Sequence, residues 1–86
     1  MYRIEFSQLA AKELEKVYNT DKKLYTRFIV VIETLKTNPY QGKLLKGKLA
    51  GDYSLRLGNY RIIYALEKDR LIVYIIDLGH RSKIYK

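Results

Sequence analysis

An α+β architecture is what this sequence predicts: an N-terminal strand, an antiparallel helical hairpin, then a three-stranded antiparallel meander that completes a four-stranded sheet. Three observations carry it. The first half repeats its apolar residues at helical spacing, in the stripes Ala10, Leu14, Val17, Tyr18 and Leu24, Phe28, Val31, Leu35. The last third, from Gly51 on, is rich in β-branched and aromatic residues and is interrupted by Gly58-Asn59 and by Glu67-Lys68-Asp69-Arg70. The order is strand, helix, helix, then three antiparallel strands, and the helical hairpin cannot bury its apolar faces alone, so it packs on the sheet. The 86 residues suit one domain, 1–86, with no linker or internal repeat.

Each element has its own signal. Tyr2 to Phe6 alternates, with Tyr2, Ile4 and Phe6 on one face of a short strand. Ser7 is a suitable N-cap, because its hydroxyl accepts from an unpaired N–H of the first helical turn. The first helix spans Gln8 to Tyr18. Asn19-Thr20-Asp21 ends it, and Thr20 or Asp21 caps a second helix from Lys22 to Lys36. Val30-Val31-Ile32 weakens local helix propensity, but the long stripe outweighs it. Asn38-Pro39 closes that helix, since the residue before proline is pushed out of the α region. Tyr40 to Ala50 reads as a basic loop, with Leu44, Leu45 and Leu49 as anchors. Strands follow at Tyr53–Leu57, Tyr60–Leu66 and Leu71–Leu78. Gly58-Asn59 tolerates a tight turn, and links this short require antiparallel neighbours. Leu71 to Ile76 is almost continuously apolar, as in a central strand covered on both faces. The N-terminal strand joins at an edge or beside the second strand.

Composition narrows the function. The chain has no cysteine and one histidine, which excludes disulfides, thiolate metal sites and His-rich metal sites. No apolar run approaches the roughly 20 residues of a membrane span, and Met1 to Glu5 lacks a signal peptide's apolar segment. A soluble cytoplasmic protein without membrane contact is the expectation. Seventeen Lys and Arg against nine acids give a formal charge of +8 and a pI near 9.7, which favours a polyanionic or acidic partner.

The polar residues between the sheet formers are nearly all cationic or proton-carrying. Ser54 and Arg56 share a strand face, and Arg61 begins the next strand across a tight turn. Arg81 follows the last strand. Three arginines converging on one face repel unless an anion lies between them, and the planar guanidinium fork suits phosphate. The alternative is that each pairs with a local acid, such as Asp52, Asp77 or Glu67. Lys43, Lys46 and Lys48 in the glycine-bearing loop, with Lys83 in the tail, are candidate phosphate contacts; a solvated basic loop is the competing reading. His80 is the one side chain that ordinarily titrates near neutrality. Tyr85 is reachable from the same edge as a further proton carrier.

These residues resemble the RelE/ParE toxin superfamily, and within it the RelE-type messenger-RNA interferases. The matching segments are Leu44-Leu45-Lys46-Gly47, the run Tyr53-Ser54-Leu55-Arg56-Leu57-Gly58-Asn59-Tyr60-Arg61-Ile62-Ile63-Tyr64, and the ending Gly79-His80-Arg81 with Ile84-Tyr85. The first half matches in layout. The resemblance implies a RelE-like microbial RNase fold in a toxin of a type II toxin–antitoxin system. It implies ribosome-dependent cleavage of messenger RNA in the A site by attack of the 2′-hydroxyl, with no metal or other cofactor. It implies a co-expressed acidic, RelB-like antitoxin as partner, with operator DNA bound only through that antitoxin.

Carried over by position, Arg56, Arg61, His80, Arg81 and Tyr85 form the catalytic set. Ser54 stands where some members carry a lysine. Arg56 stands where some carry a lysine that acts as base, and arginine stays protonated. His80 then becomes the expected base, its loss costing about 10²- to 10⁴-fold in rate. Two other classes stand beside this reading: a ParE-like inhibitor of DNA gyrase, and an inactive homologue that serves as DNA-binding co-repressor with its antitoxin.

Overall fold

The protein is described by a computed structural model over residues 1–47, 50–80 and 82. Its elements are β1 (Arg3–Phe6), α1 (Gln8–Thr20), α2 (Lys22–Thr34), β2 (Lys43–Leu44), β3 (Tyr53–Leu57), β4 (Tyr60–Glu67) and β5 (Ile72–His80). The α+β class is as expected, and the sheet has five strands instead of four, in the order β1-β5-β4-β3-β2. The additional strand, β2, lies within the expected loop and pairs antiparallel with β3. β1 lies at the opposite edge and runs parallel to β5. β5 is therefore interior, as its apolar run requires. Leu44, expected as an anchor, is 54% exposed, and Leu49 lies outside the described residues.

Both helices pack on one face of the sheet. Ala10, Leu14, Leu24, Phe28, Ile32 and Leu35 meet Ile62, Tyr64, Val73, Ile75 and Leu78 in one buried cluster. Asp21 closes α1 through its own N–H to the Val17 carbonyl and opens α2 by accepting from the Leu24 N–H. One residue thus makes the whole joint. Among the described residues, no helix is long and apolar enough to cross a membrane.

Ser7 does more than cap α1. Its Oγ accepts from the Ala10 N–H at 3.0 Å and donates to the Ile76 carbonyl at 2.6 Å. Ile76 is where β5 bulges: Ile75 pairs with Tyr64 and Asp77 with Ile63, leaving Ile76 without a partner in the ladder. A bulge changes which side chains face which way beyond it. Counted in steps of two from Val73 and Ile75, Leu78 and His80 fall on the face away from the helices. In the structure Leu78 pairs with Ile62 in the core and His80 with Tyr60. The parity of the last strand is thus reset at Ile76, and the Ser7 hydroxyl holds the displaced carbonyl.

Leu71, assigned to the last strand by its composition, instead ends the preceding turn with a φ of 54° and is exposed.

Candidate active site on the second face of the sheet

The face turned away from the helices carries the arginines. Alternate residues of a strand point to opposite faces, so Arg61 points away from the core that Ile62 and Tyr64 enter. Its neighbours across the sheet are Arg56 on β3 and Gly79 on β5. Directly opposed residues on adjacent strands have Cβ atoms about 5 Å apart. Two guanidinium-bearing side chains therefore begin side by side.

Arg56 is exposed, and its Nε donates to the Gly58 carbonyl at 3.1 Å. That bond is to a carbonyl, and among the described residues no carboxylate is ion-paired with Arg56. Two of the acids that might have neutralised it are engaged elsewhere. Glu67 pairs with Arg70 at 3.0 Å, and Asp77 Oδ1 accepts from the Leu78 N–H at 2.8 Å.

Gly79 ends the row. Its φ is +151°, and a Cβ built there would meet nothing within 4 Å. Among the described residues nothing crowds that point, and the backbone conformation at Gly79 disfavours a side chain there. The composition-based reading missed Gly79; its signal was a glycine near the end of a β-branched run, which marks a bulge or a close approach.

The parallel row one step along the same face is Lys43, Ser54, Ile63 and Asp77. Lys43 is exposed and lies diagonally across from Arg56, within reach of the same anion. Lys46 is exposed just beyond β2. Ser54 is only 5% exposed. Flanked by β2 and β4, it belongs to the packing of the sheet and not to a surface that touches substrate. Lys48, Arg81, Lys83 and Tyr85 lie outside the described residues.

His80 is not brought to the arginines. It pairs with Tyr60, on the helix side, and its ring stands edge-on to the Tyr60 ring at 5.5 Å and 81°. The bulge at Ile76 is the reason. The Ser82 N–H donates to His80 Nδ1 at 3.2 Å, and the Ser82 Oγ lies 2.9 Å from the same nitrogen. Nδ1 accepts from that N–H, so a neutral His80 ring carries its proton at Nε2. His80 also lines a groove of about 630 Å³ between α1 and the end of β5, together with Glu13, Lys16, Asp21, Tyr60 and Asp77. Within it, burial raises the Asp77 carboxyl above its ordinary range; the Leu78 N–H opposes the shift and the Glu13 charge adds to it.

The sequence reading also passed over Arg27 of α2. A Cβ at Gly58 would lie 3.4 Å from its guanidinium. Arg27 and Arg56 therefore both lie at the β3–β4 turn, so Arg27 adds a third cation, after Arg56 and Arg61, to that end of the sheet.

A mixed sheet backed by two helices, with Arg56 and Arg61 side by side on its outer face, defines a small basic α+β protein. The particular family follows from its relatives. The family model described as the ParE toxin of type II toxin–antitoxin systems matches residues 4–85, and the chain belongs to that family. It is 30% identical over 86 residues to the toxin RelG of Mycobacterium tuberculosis, covering 99% of this chain and 97% of that protein. It is similar to a chain in the crystal structure of the toxin–antitoxin complex RelBE2 of the same organism, with a TM-score of 0.77, 29% identity, and coverage of 93% and 98% of the two chains. The YoeB/ParE toxin of Agrobacterium tumefaciens shares the fold at a TM-score of 0.84 and 21% identity, over 94% of this chain and 99% of that one. The protein is thus a type II toxin of the RelE/ParE superfamily.

Proposed function

We propose that this toxin stops translation by cutting messenger RNA in the ribosomal A site. The observation that carries the reading is the row Arg56–Arg61–Gly79: two cations side by side on the face turned away from the helices. In the proposed reaction the 2′-oxygen of one nucleotide attacks the adjacent phosphorus. The P–O5′ bond breaks, leaving a 2′,3′-cyclic phosphate and a free 5′-hydroxyl. The proton leaves the 2′-oxygen and one is delivered to the 5′-oxygen. Negative charge accumulates on the non-bridging oxygens as the phosphorus becomes five-coordinate. Guanidinium donors fixed before the reaction stabilise that charge without reorganising.

Arg61, half-buried between Arg56 and Gly79, is the residue for this task. Arg56 and Lys43 hold the flanking phosphates, and Lys46 extends the contact along the strand. Arg81 and Tyr85 complete the site in the reading by resemblance. His80, on the helix side of the sheet, does not serve as base in this reading, so catalysis here rests on charge and position. The formal +8 supports docking on ribosomal RNA with salt-sensitive affinity.

The partner in this reading is an acidic antitoxin that lays an amphipathic helix in an apolar groove. A shallow one of about 340 Å³ is lined by Phe6, Ala11, Leu14, Glu15, Tyr18 and Tyr25. The antitoxin is expected to bring the pair to operator DNA.

The test is primer extension on a translated message with the pure protein added. Cuts within codons of ribosome-bound message are expected. The matching family carries the ParE name, and a ParE-like inhibitor of DNA gyrase is the competing reading; intact messages with trapped gyrase–DNA complexes would establish it instead.

A further inference from the structure

We infer that Tyr64 is a positioning residue for the arginine face. Its hydroxyl latches the chain between Pro39 and Gly42 and so fixes the register that sets Lys43 beside Ser54 and next to Arg56. The functional half of this inference rests on the RNA-cleaving reading above.

β2 is only two residues long and lies at the sheet edge. So short a ladder does not hold its own register. A slip of one residue would move Lys43 to the other face and carry Leu44 to the arginine side. Beyond β2, the Leu45 N–H donates to the Asp52 carbonyl at 2.8 Å. Before it, the Gln41 side chain bonds back to Thr34 Oγ1 and the Asn38 carbonyl at the end of α2, while the bonds that tie the segment to the sheet come from one phenol. Tyr64 Oη donates to the Pro39 carbonyl at 2.7 Å and accepts from the Gly42 N–H at 3.0 Å.

Tyr64 is suited to be the fixed end of such a latch. It is fully buried and stacks on Tyr53, ring centroids 5.3 Å apart and planes 12° from parallel. Burial raises its hydroxyl above the ordinary phenol range, so the proton that bonds Pro39 stays in place. Gly42 is fitted to the contact. A Cβ there would lie 2.7 Å from Tyr64 Oη and 3.1 Å from the Ser54 carbonyl. Only glycine lets the chain pass this close to both β4 and β3. Tyr64 itself faces the core, so it acts on the outer face through the backbone of Gly42 and not by touching RNA.

The experiment compares Tyr64→Phe, Lys43→Ala and the double variant of the full chain, in steady-state cleavage of a defined message on ribosomes. Tyr64→Phe is expected to raise KM about tenfold with little change in kcat, on the scale of one lost hydrogen bond in a positioned loop. Lys43→Ala is expected to raise KM similarly, and the double variant no further than Lys43→Ala alone. A double variant whose cost is the product of the two singles overturns the inference, because Tyr64 then acts elsewhere. Hydrogen exchange at the Gly42 and Lys43 amides is read on the same proteins. Faster exchange in Tyr64→Phe is expected, and unchanged exchange overturns the latch. If the unmodified protein cuts no message, the RNA reading and the functional half fall together, while exchange still decides whether the latch exists.

Discussion

On one face of β4, Tyr60, Ile62 and Tyr64 meet the helices and the rings that close the core. On the other, one residue out of step, Arg61 lies between Arg56 and Gly79. The first face is built by volume: Ile62 and Tyr64 have no exposed surface, and Phe28 stands edge-on to Tyr60 at 5.9 Å. The second face packs one row, Ser54 and Ile63, and in the next row sets like charges beside each other. Like charges placed directly opposite destabilise a sheet. The difference teaches that core and chemistry are sorted here by strand parity, so whatever shifts the parity moves a residue from one role to the other.

Neighbouring substitutions on β4 should separate the two roles. Ile62→Ala removes a fully buried side chain and is expected to cost about 2–5 kcal/mol of unfolding free energy. Its remaining folded fraction should cut message at the normal rate. Arg61→Ala is expected to lower cleavage by about 10²- to 10³-fold, the scale for one fixed donor to a developing oxyanion, with the melting temperature little changed. Denaturant titration and single-turnover cleavage on both variants check this pair. A well-folded Arg61→Ala protein that still arrests growth would remove the arginine row from the reaction.

His80 is the next discriminating position, because sequence and structure disagree about its face. With His80 paired to Tyr60, His80→Ala is expected to cost less than about tenfold in rate, below the usual span for a lost acid–base group. The pH–rate profile should keep its shape. A loss of 10²-fold or more, with the ascending limb gone, would show that the ring reaches the arginine side during the reaction.

Most of this plan was legible in the residues. The stripes of α1 and α2, the Asp21 joint, the Gly58-Asn59 turn and the pairing of Arg56 with Arg61 all follow from local spacing. β2 was not legible, because Lys43-Leu44 is too short to show alternation; it is held by a nearby bond from Leu45 to Asp52 and by bonds to Tyr64, more than twenty residues on. The face of His80 was hidden for another reason. Leu71 to Ile76 is apolar throughout, so no polar residue marks where the alternation skips a step. The skip is fixed by Ser7, 69 residues away along the chain.

The smallest expected effect concerns the seam between the helices and the reset end of β5. Asp77 lies in the groove with Glu13, Lys16, Asp21 and His80. Burial raises its carboxyl, the Leu78 N–H lowers it in part, and the Glu13 charge raises it further. A folded-state pKa above the unfolded value means that the folded chain binds this proton more tightly. The associated stability is fully present below the ordinary value of 3.8 and is lost as pH rises through the folded value. At neutral pH the Asp77 charge is thus a small liability. Asp77→Asn keeps an oxygen to accept from the Leu78 N–H and removes that charge. It should raise the melting temperature slightly at pH 7, and the gain should fade as both proteins are brought to about pH 3, where Asp77 is protonated anyway. Glu13→Gln should give part of the same gain by removing the opposing charge. Calorimetry across that pH range decides it: a variant that melts lower than the parent at pH 7, or whose gain persists unchanged at low pH, would place the cost of this seam in packing and not in charge.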